Sequence, residues 1–301
     1  MTKSLATKRQ RLSDRARIIQ KVRAFFIAQG FLEVETPQRI PGNAPEVHID
    51  PINSDGWQLQ TSPELAMKRL LAAGYGKIFQ ICRCWRNHER GSKHLPEFSM
   101  IEWYRPNACY LALMEDCEQL LHKLIPSGVL SYQQHRIDLA HGCERLSVAD
   151  AFLRYTDCSA ETALKNDLFD ELMVCAIEPQ LGLNRPTILY DYPAELAALA
   201  RKKPDQPHLA ERFELYIAGL ELANAFSELT DPDEQRQRFE ADRGARTRAG
   251  KTDGPMPEAF LDDLKNLTAA AGIALGLDRL IMLLTDTTCI DDIVCFTPES
   301  L

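Results

Sequence analysis

Two periodicities alternate along the chain. From about Asp14 to Gln29, apolar residues recur at helical spacing (Ile18, Ile19, Val22, Phe25, Phe26), and Gly30 stops the helix. In GFLEVETP, Phe31 or Leu32 and Val34 alternate with Glu33 and Glu35 as in a strand that Pro37 ends. WQLQTSP reads as a second strand, and PELAMKRLLAAG as a helix with Pro63 in its first turn and Gly74 at its end. KIFQICRCWR and EFSMIEWYRP are two further strand-like runs, joined by the polar loop NHERGSKHLP, and an amphipathic helix follows from about Tyr110 to Leu124.

The pattern is mixed from Pro126 to about Thr187, with helical stretches near SVADAFLRY and DLFDELMVCAI. This region is expected to be an insertion between two halves of one domain spanning residues 1–301. ERFELYIAGLELANAFSEL then predicts strand, turn near Ala218 and Gly219, and strand. A charged helix, the loop GKTDGPMP, and AGIALGLDRLIMLL follow, the last a glycine-bearing strand running into a helix. Strands in local antiparallel succession with helices outside predict an α+β fold, a mainly antiparallel sheet flanked by helices.

At 301 residues, 45% hydrophobic and 26% charged, the chain has material for one large core or two modest ones. No apolar run reaches a membrane span, and the basic N-terminus lacks the apolar region of a signal peptide, so a cytoplasmic protein with no membrane partner is expected. Nine cysteines are scattered, and the one close pair, Cys82 and Cys84, lacks zinc-site spacing. They read as small buried hydrophobes in a reducing compartment rather than as metal ligands. A net charge of −8 speaks against bulk nucleic-acid binding as the main task.

Three constellations carry chemistry. Around RCWRNHERGSKHLPEFSMIEWYRP, Arg83, Arg86, Arg90, Lys93, His94 and Arg105 interleave with Trp85, Phe98, Trp103 and Tyr104. Guanidinium forks suit phosphate and an aromatic face suits a purine, but a solvated basic hairpin over aromatic core positions fits equally. Glu214, Glu221, Asn224, Phe226 and Glu228 form the second group, and Asn224, Phe226 and Glu228 share one face of a strand. Carboxylates on an apolar strand are costly to bury unless they meet Mg²⁺ or an ammonium, the other reading being edge acids facing water. The third is Gly272, Gly276 and Arg279, where glycines admit a ligand close to the backbone, although such strands are common without one. There is no Rossmann or P-loop motif.

In this order the segments resemble the three signature motifs of class II aminoacyl-tRNA synthetases, and within that class the lysyl enzymes. QGFLEVETP is similar to motif 1, RCWRNHERGSKHLPEF to motif 2 and GIALGLDRL to motif 3. TSPELAMKRLL, MIEWYRP, YDYPAELAALARKKP and ERFELYIAGLELANAFSELTD extend the likeness over nearly the whole chain. The resemblance implies ATP and Mg²⁺ as cofactors and the following roles. Arg86 would contact the α-phosphate and the amino-acid carboxylate, and Arg279 the γ-phosphate. His94 would lie near the phosphates, with Phe98 stacked on adenine and Glu214 and Glu221 holding Mg²⁺. Ser62, Glu64, Glu102, Tyr104, Asn224, Phe226, Glu228 and Ala274 would line the lysine pocket. Motif 1 implies a homodimer.

Two features resemble instead the stand-alone elongation factor P–lysine ligases of the same class. The likeness begins almost at residue 1, leaving no room for an anticodon-reading domain, and Ala274 stands where tRNA-charging lysyl enzymes have glycine. That family activates lysine, preferably (R)-β-lysine, and transfers it to a lysine ε-amine of elongation factor P. Departures are His88 where motif 2 has glutamate (Glu89 is next to it), Leu95 where it has asparagine, and LTAAAG in place of a proline pair. Either the loop shifts by one residue and Glu89 substitutes, or ATP affinity or nucleotide choice has changed; His88 and Glu89 are both ATP-side candidates. Activation of another amino acid for tRNA or a small molecule, and a binding protein without catalysis, are the alternatives. The arginines of RQRFEADRGARTRAGK read as a solvated helix face, or as a contact for an acidic partner.

Overall fold

The computed structural model describes residues 5–197, 199–252 and 254–301. Residues 1–4 of the basic lead-in, Ala198 in YDYPAELAALARKKP and Asp253 in GKTDGPMP lie outside the described residues.

The centre of the fold is a nine-stranded sheet. Its strands in chain order are β1 (Leu32–Glu33), β2 (Ile78–Trp85), β3 (Glu97–Pro106), β4 (Glu144–Ser147), β5 (Thr187–Pro193), β6 (Lys202–Lys203), β7 (Gln206–Ile217), β8 (Leu220–Ser227) and β9 (Ala270–Gly276). They lie in the spatial order β1-β2-β3-β9-β8-β7-β5-β4, with β6 paired to β7. The pairings β1–β2 and β4–β5 are parallel, and the others are antiparallel. The mainly antiparallel α+β expectation holds. GFLEVETP contributes less strand than its alternation predicts, because after Glu33 only the Val34 amide still bonds to the sheet, at Phe79. DLFDELMVCAI is helical only as Phe169–Leu172 followed by a wider turn over Met173–Ile177.

Period-two alternation separates the two faces of the sheet. One face buries Phe79, Ile101, Trp103, Phe213, Ala225, Ile273 and Leu275 against α1 (Leu5–Ala28), α3 (Tyr110–Leu124) and α7 (Leu277–Leu284). Phe26 is its hub: its ring lies 5.1–5.2 Å from Phe25, Phe31 and Phe79 and 4.8 Å from Trp103. The intervening residues Met100, Glu102, Tyr104, Asn224, Phe226, Gly272 and Ala274 project to the opposite face. That face is walled at one end by α2 (Glu64–Ala72), α5 (Pro232–Arg248) and α6 (Glu258–Leu264), which pack Met67, Leu71, Phe239 and Phe260 around Tyr104.

The region after Pro126 supplies a hairpin (Val129–Tyr132 with His135–Asp138) and then β4, which joins the edge of the main sheet. Its helices, including α4 (Val148–Tyr155), bury a second core against Leu189, Tyr192 and Tyr216. The β7–β8 turn is Ala218-Gly219, both at positive φ, as a two-residue turn of the mirrored type requires.

The α5 arginines form a solvated face only in part: Arg248 is exposed and Arg236 partly so, whereas others are turned inward. Arg246 is buried and donates to the carbonyls of Glu46 (2.7 Å) and Ile49 (2.8 Å), Arg236 pairs with Glu258, and Arg238 with Glu234 and the Ala200 carbonyl. The low hydrophobicity of this helix hid that role, since a long cation can tie down a loop by its tip alone.

Phe26→Ala should cost about 3–5 kcal/mol of stability in urea denaturation, because four aromatic neighbours would line the void.

Candidate active site

A cavity of about 500 Å³ opens on the polar face of β3, β9 and β8. Its shape depends on small residues in the middle of the sheet. A Cβ on Gly272 would strike the Tyr104 ring and the Glu228 carboxylate, so only glycine lets those two side chains cross β9. Ala274, paired with Asn224 on one side and Glu102 on the other, carries a methyl into the wall.

One end of the cavity is a pole of carboxylates. Glu102 is fully buried and accepts hydrogen bonds from Ser62 Oγ (2.6 Å) and Tyr104 Oη (2.7 Å). Glu64 starts α2, and Lys68, one turn later, reaches both Glu64 and Glu228 at 2.5 Å. Burial pulls the Lys68 ammonium down, but the Glu228 and Glu64 carboxylates outweigh it and hold the group charged. Three carboxylates thus share one resident cation. Burial and then the charge of Glu64 push Glu102 up to about 8. Glu228 also rises to about 8, through burial against the opposing pull of Lys68. Glu228 Oε1 has no hydrogen-bond partner among the described residues. A pole built this way is short of positive charge.

The other end is cationic. Arg86 stacks 5.2 Å over Phe98, and its buried Nε has no partner among the described residues. Arg279, in the first turn of α7, donates to the Glu221 carbonyl (2.9 Å) and meets His94 Nε2. Burial, then the charges of Arg279, Arg86 and Lys93, pull His94 down to about 4, so its ring is neutral at pH 7 although one edge reaches solvent. The buried Asp278 anchors this end: it accepts from Arg15 of α1 (2.5 Å) and from the Ser99 amide (2.8 Å). An anion with several oxygens fits here.

Of the predicted residues, Ser62, Glu64, Arg86, Glu89, His94, Phe98, Glu102, Tyr104, Glu221, Asn224, Phe226, Glu228, Ala274 and Arg279 all line this cavity. Glu221 has the wrong parity to join Asn224 on a regular strand. A bulge opposite Leu215 and Tyr216 shifts the register and turns it in. His88 and Glu214 are corrections. His88 adopts positive φ (65°) at the tip of the motif 2 turn and is exposed, so its neighbour Glu89 faces the cavity, 4.0 Å from Arg86. Glu214 stands beside Asn224 on the same face, one strand over and outside the cavity lining, its carboxylate taken by Tyr192 Oη, Tyr216 Oη and Arg212, each at 2.6 Å. Leu95 is a buried core residue rather than a polar contact. In the basic hairpin, Arg90 and Arg105 are held by Glu299 and Asp116 and Arg83 is exposed near Glu97, leaving Arg86, Lys93 and His94 for the cavity.

Sequence reasoning missed Lys68, Arg212 and Glu46. Lys68 could have been found as the i, i+4 partner of Glu64, and Arg212 as sharing parity with Glu214. Glu46 sits in the irregular segment PGNAPEVHIDP, where no periodicity marks a facing direction.

Comparison with known proteins agrees with this geometry. The class II tRNA synthetases (D, K and N) match residues 3–300. The elongation factor P–(R)-β-lysine ligase of Pectobacterium atrosepticum is 40% identical, over 96% of this chain and 95% of the relative. Those of Erwinia tasmaniensis (39%) and Salmonella paratyphi B (40%) align over the same shares. The chain belongs to the class II synthetase family, among its elongation factor P–(R)-β-lysine ligases. Membership carries ATP use with it, and the guanidinium pole is where a triphosphate fits.

The carboxylate pole makes ligand binding pH-dependent. An alkylammonium needs Glu102 ionised, and burial with the charge of Glu64 pushes that carboxyl up to about 8. Affinity for lysine, measured by calorimetry, should rise between pH 6 and 8 by up to about tenfold per unit and level off above, with proton release on binding.

Proposed function

We propose that this chain uses ATP to activate a lysine-type amino acid, (R)-β-lysine, as the aminoacyl adenylate and transfers the acyl group to a lysine ε-amine of elongation factor P. The observation that carries this reading is the two-pole cavity: a carboxylate cluster short of positive charge at one end and clustered guanidinium groups at the other. A diamino acid spans it with its terminal ammonium at Glu228 and Glu102 and its carboxylate near Arg86, where the α-phosphate of ATP would lie.

The chemistry needs no side-chain nucleophile. The substrate carboxylate attacks the α-phosphorus in line, pyrophosphate leaves, and Arg86, Arg279 and Lys93 neutralise the charge that develops on phosphate oxygens. Neutral His94 orients Arg279 without adding a charge. Mg²⁺ belongs to this reading. Burial and then the charge of Glu214 raise Glu221 to about 7, against the pull of Arg279, whose Nη1 lies 3.4 Å from the Glu221 carboxylate. Glu221 suits an ion held mainly by phosphates, and Glu214 would join only by releasing Arg212 or its tyrosines. When bound, the ion would neutralise phosphate charge.

The domain organisation and dimer are part of the same proposal: one catalytic domain over these residues, with the Pro126–Thr187 region as its insertion, paired through the motif 1 segment. Ile27 and Leu32, both more than half exposed, give that segment apolar surface to cover. A cytoplasmic protein without stable nucleic-acid binding is expected.

Amino-acid-dependent ATP–pyrophosphate exchange tests the activity. Exchange led by (R)-β-lysine over α-lysine, followed by label transfer to elongation factor P and not to tRNA, is expected. Exchange led by another amino acid, or charging of tRNA alone, would overturn it. Removing the methyl that narrows the wall, Ala274→Gly, should raise kcat/KM for α-lysine by about 10-fold or more relative to (R)-β-lysine, the scale of one methyl group in a fitted pocket.

A further inference from the structure

A second cavity of about 320 Å³ adjoins the first. Glu46, Ser62 and Glu64 line both, so the wall between them is the carboxylate end of the amino-acid pocket. The rest of its lining is mostly apolar: Ile40, Pro63, Leu65, Met256 and Phe260 face it. Its other charged groups are already paired, Arg69 with Asp263 and Glu258 with Arg236.

Glu46 is held rigidly at the junction. Arg246 binds its carbonyl at 2.7 Å, Lys251 binds the Val47 carbonyl at 3.0 Å, and Asn43 ties the start of the loop to Thr61 at 2.8 Å. Four charged groups act on the Glu46 carboxylate: Arg86 of the cationic pole, Glu64, Asp242 and Arg212. Burial is the largest influence and raises it, Arg86 opposes, and the result is about 7. Adenylate formation, as proposed above, assigns Glu46 no task.

We propose that the second cavity receives the side chain of the acceptor lysine and that Glu46 is the general base of acyl transfer. The inference rests on the proposed transfer to a protein lysine. The acceptor's methylene stem lies along the apolar walls, and its ammonium meets Glu46, a carboxylate shared by the two cavities and under the charge of Arg86. A lysine ε-amine at pH 7 is protonated and cannot attack. Its ammonium gives one proton to Glu46, and the nitrogen lone pair attacks the adenylate carbonyl. The C–N bond forms, the C–O bond to AMP breaks, and that electron pair leaves on the AMP phosphate. The second amine proton goes to the phosphate, and Glu46 returns its own to solvent through the open cavity. A carboxylate pushed up to about 7 has its pKa matched to the working pH, where a general base combines available ionised form with proton affinity.

The test separates the half-reactions, using the full chain with ATP, (R)-β-lysine and elongation factor P. Glu46→Gln, loaded with preformed adenylate so that adenylate formation does not enter the rate, should slow single-turnover transfer about 100-fold or more at pH 7, a far larger loss than any in pyrophosphate exchange. The deficit should shrink about tenfold per pH unit up to pH 10 as free amine accumulates, and the inflection near pH 7 should vanish. Ala259→Trp, on the exposed lip of the second cavity, should block transfer and leave exchange intact. Transfer by Glu46→Gln at the wild-type rate with an unchanged pH profile overturns the role of Glu46. Exchange lost in step with transfer also overturns it, by placing Glu46 in adenylate formation. Undiminished transfer by Ala259→Trp overturns the acceptor channel. Wild-type exchange without transfer to the protein removes the parent reading itself.

Discussion

The ammonium of Lys68 is the charge around which the site is assembled. It is buried between Glu64, four residues earlier on α2, and Glu228, just beyond the end of β8. Two like charges at close range in a desolvated setting repel by several kcal/mol, and one shared cation reverses the sign. The pairing docks α2 on the sheet and sets the distance between the two carboxylates. Removing either partner would leave a buried charge uncompensated, at a cost of about 3–5 kcal/mol. Lys68 does not neutralise Glu102 as well, and that shortfall is what makes the pocket selective for a cation.

A deficit of charge is a better recognition device here than a set of hydrogen bonds. Neutral ligands of the same shape would leave Glu102 protonated and would gain only contact area. An ammonium shifts Glu102 toward ionisation and is rewarded by the low dielectric around it. The guanidinium end works by the opposite sign, and the two poles orient a substrate carrying both charges before any chemistry begins. Between them β9 presents Gly272, Ala274 and Gly276, so along this strand the poles are separated by little side-chain bulk.

Burial of this many charges is supported from behind. Glu214 is satisfied by two tyrosines and Arg212; Asp278 by Arg15 and the Ser99 amide; Asp116 by Trp103 and Arg105. Each network joins the polar face of the sheet, or its edge, to an element of the packed face or the neighbouring strand. The loop carrying Glu46 is fixed in the same manner by Arg246 from α5. The helices that look like mere cover are therefore what hold the site's loops in place.

Much of this was written locally. Alternation in β3, β8 and β9 determined which side chains share a face, and helical spacing in α1 and α3 determined what covers the other face, because both follow from backbone geometry alone. The motif resemblance then brought fourteen residues to one cavity in advance of any coordinates. What only the tertiary structure decided lies where the period breaks or where partners are distant in sequence. The bulge that turns Glu221 inward and the positive φ that turns His88 outward are single-residue departures from regular geometry, and no average pattern encodes them. The withdrawal of Glu214 depends on Tyr192 from another strand, and the placement of Glu46 on Arg246 two hundred residues away. Contacts of that kind follow from packing as a whole, because a charge takes its partner from whatever the fold brings within reach.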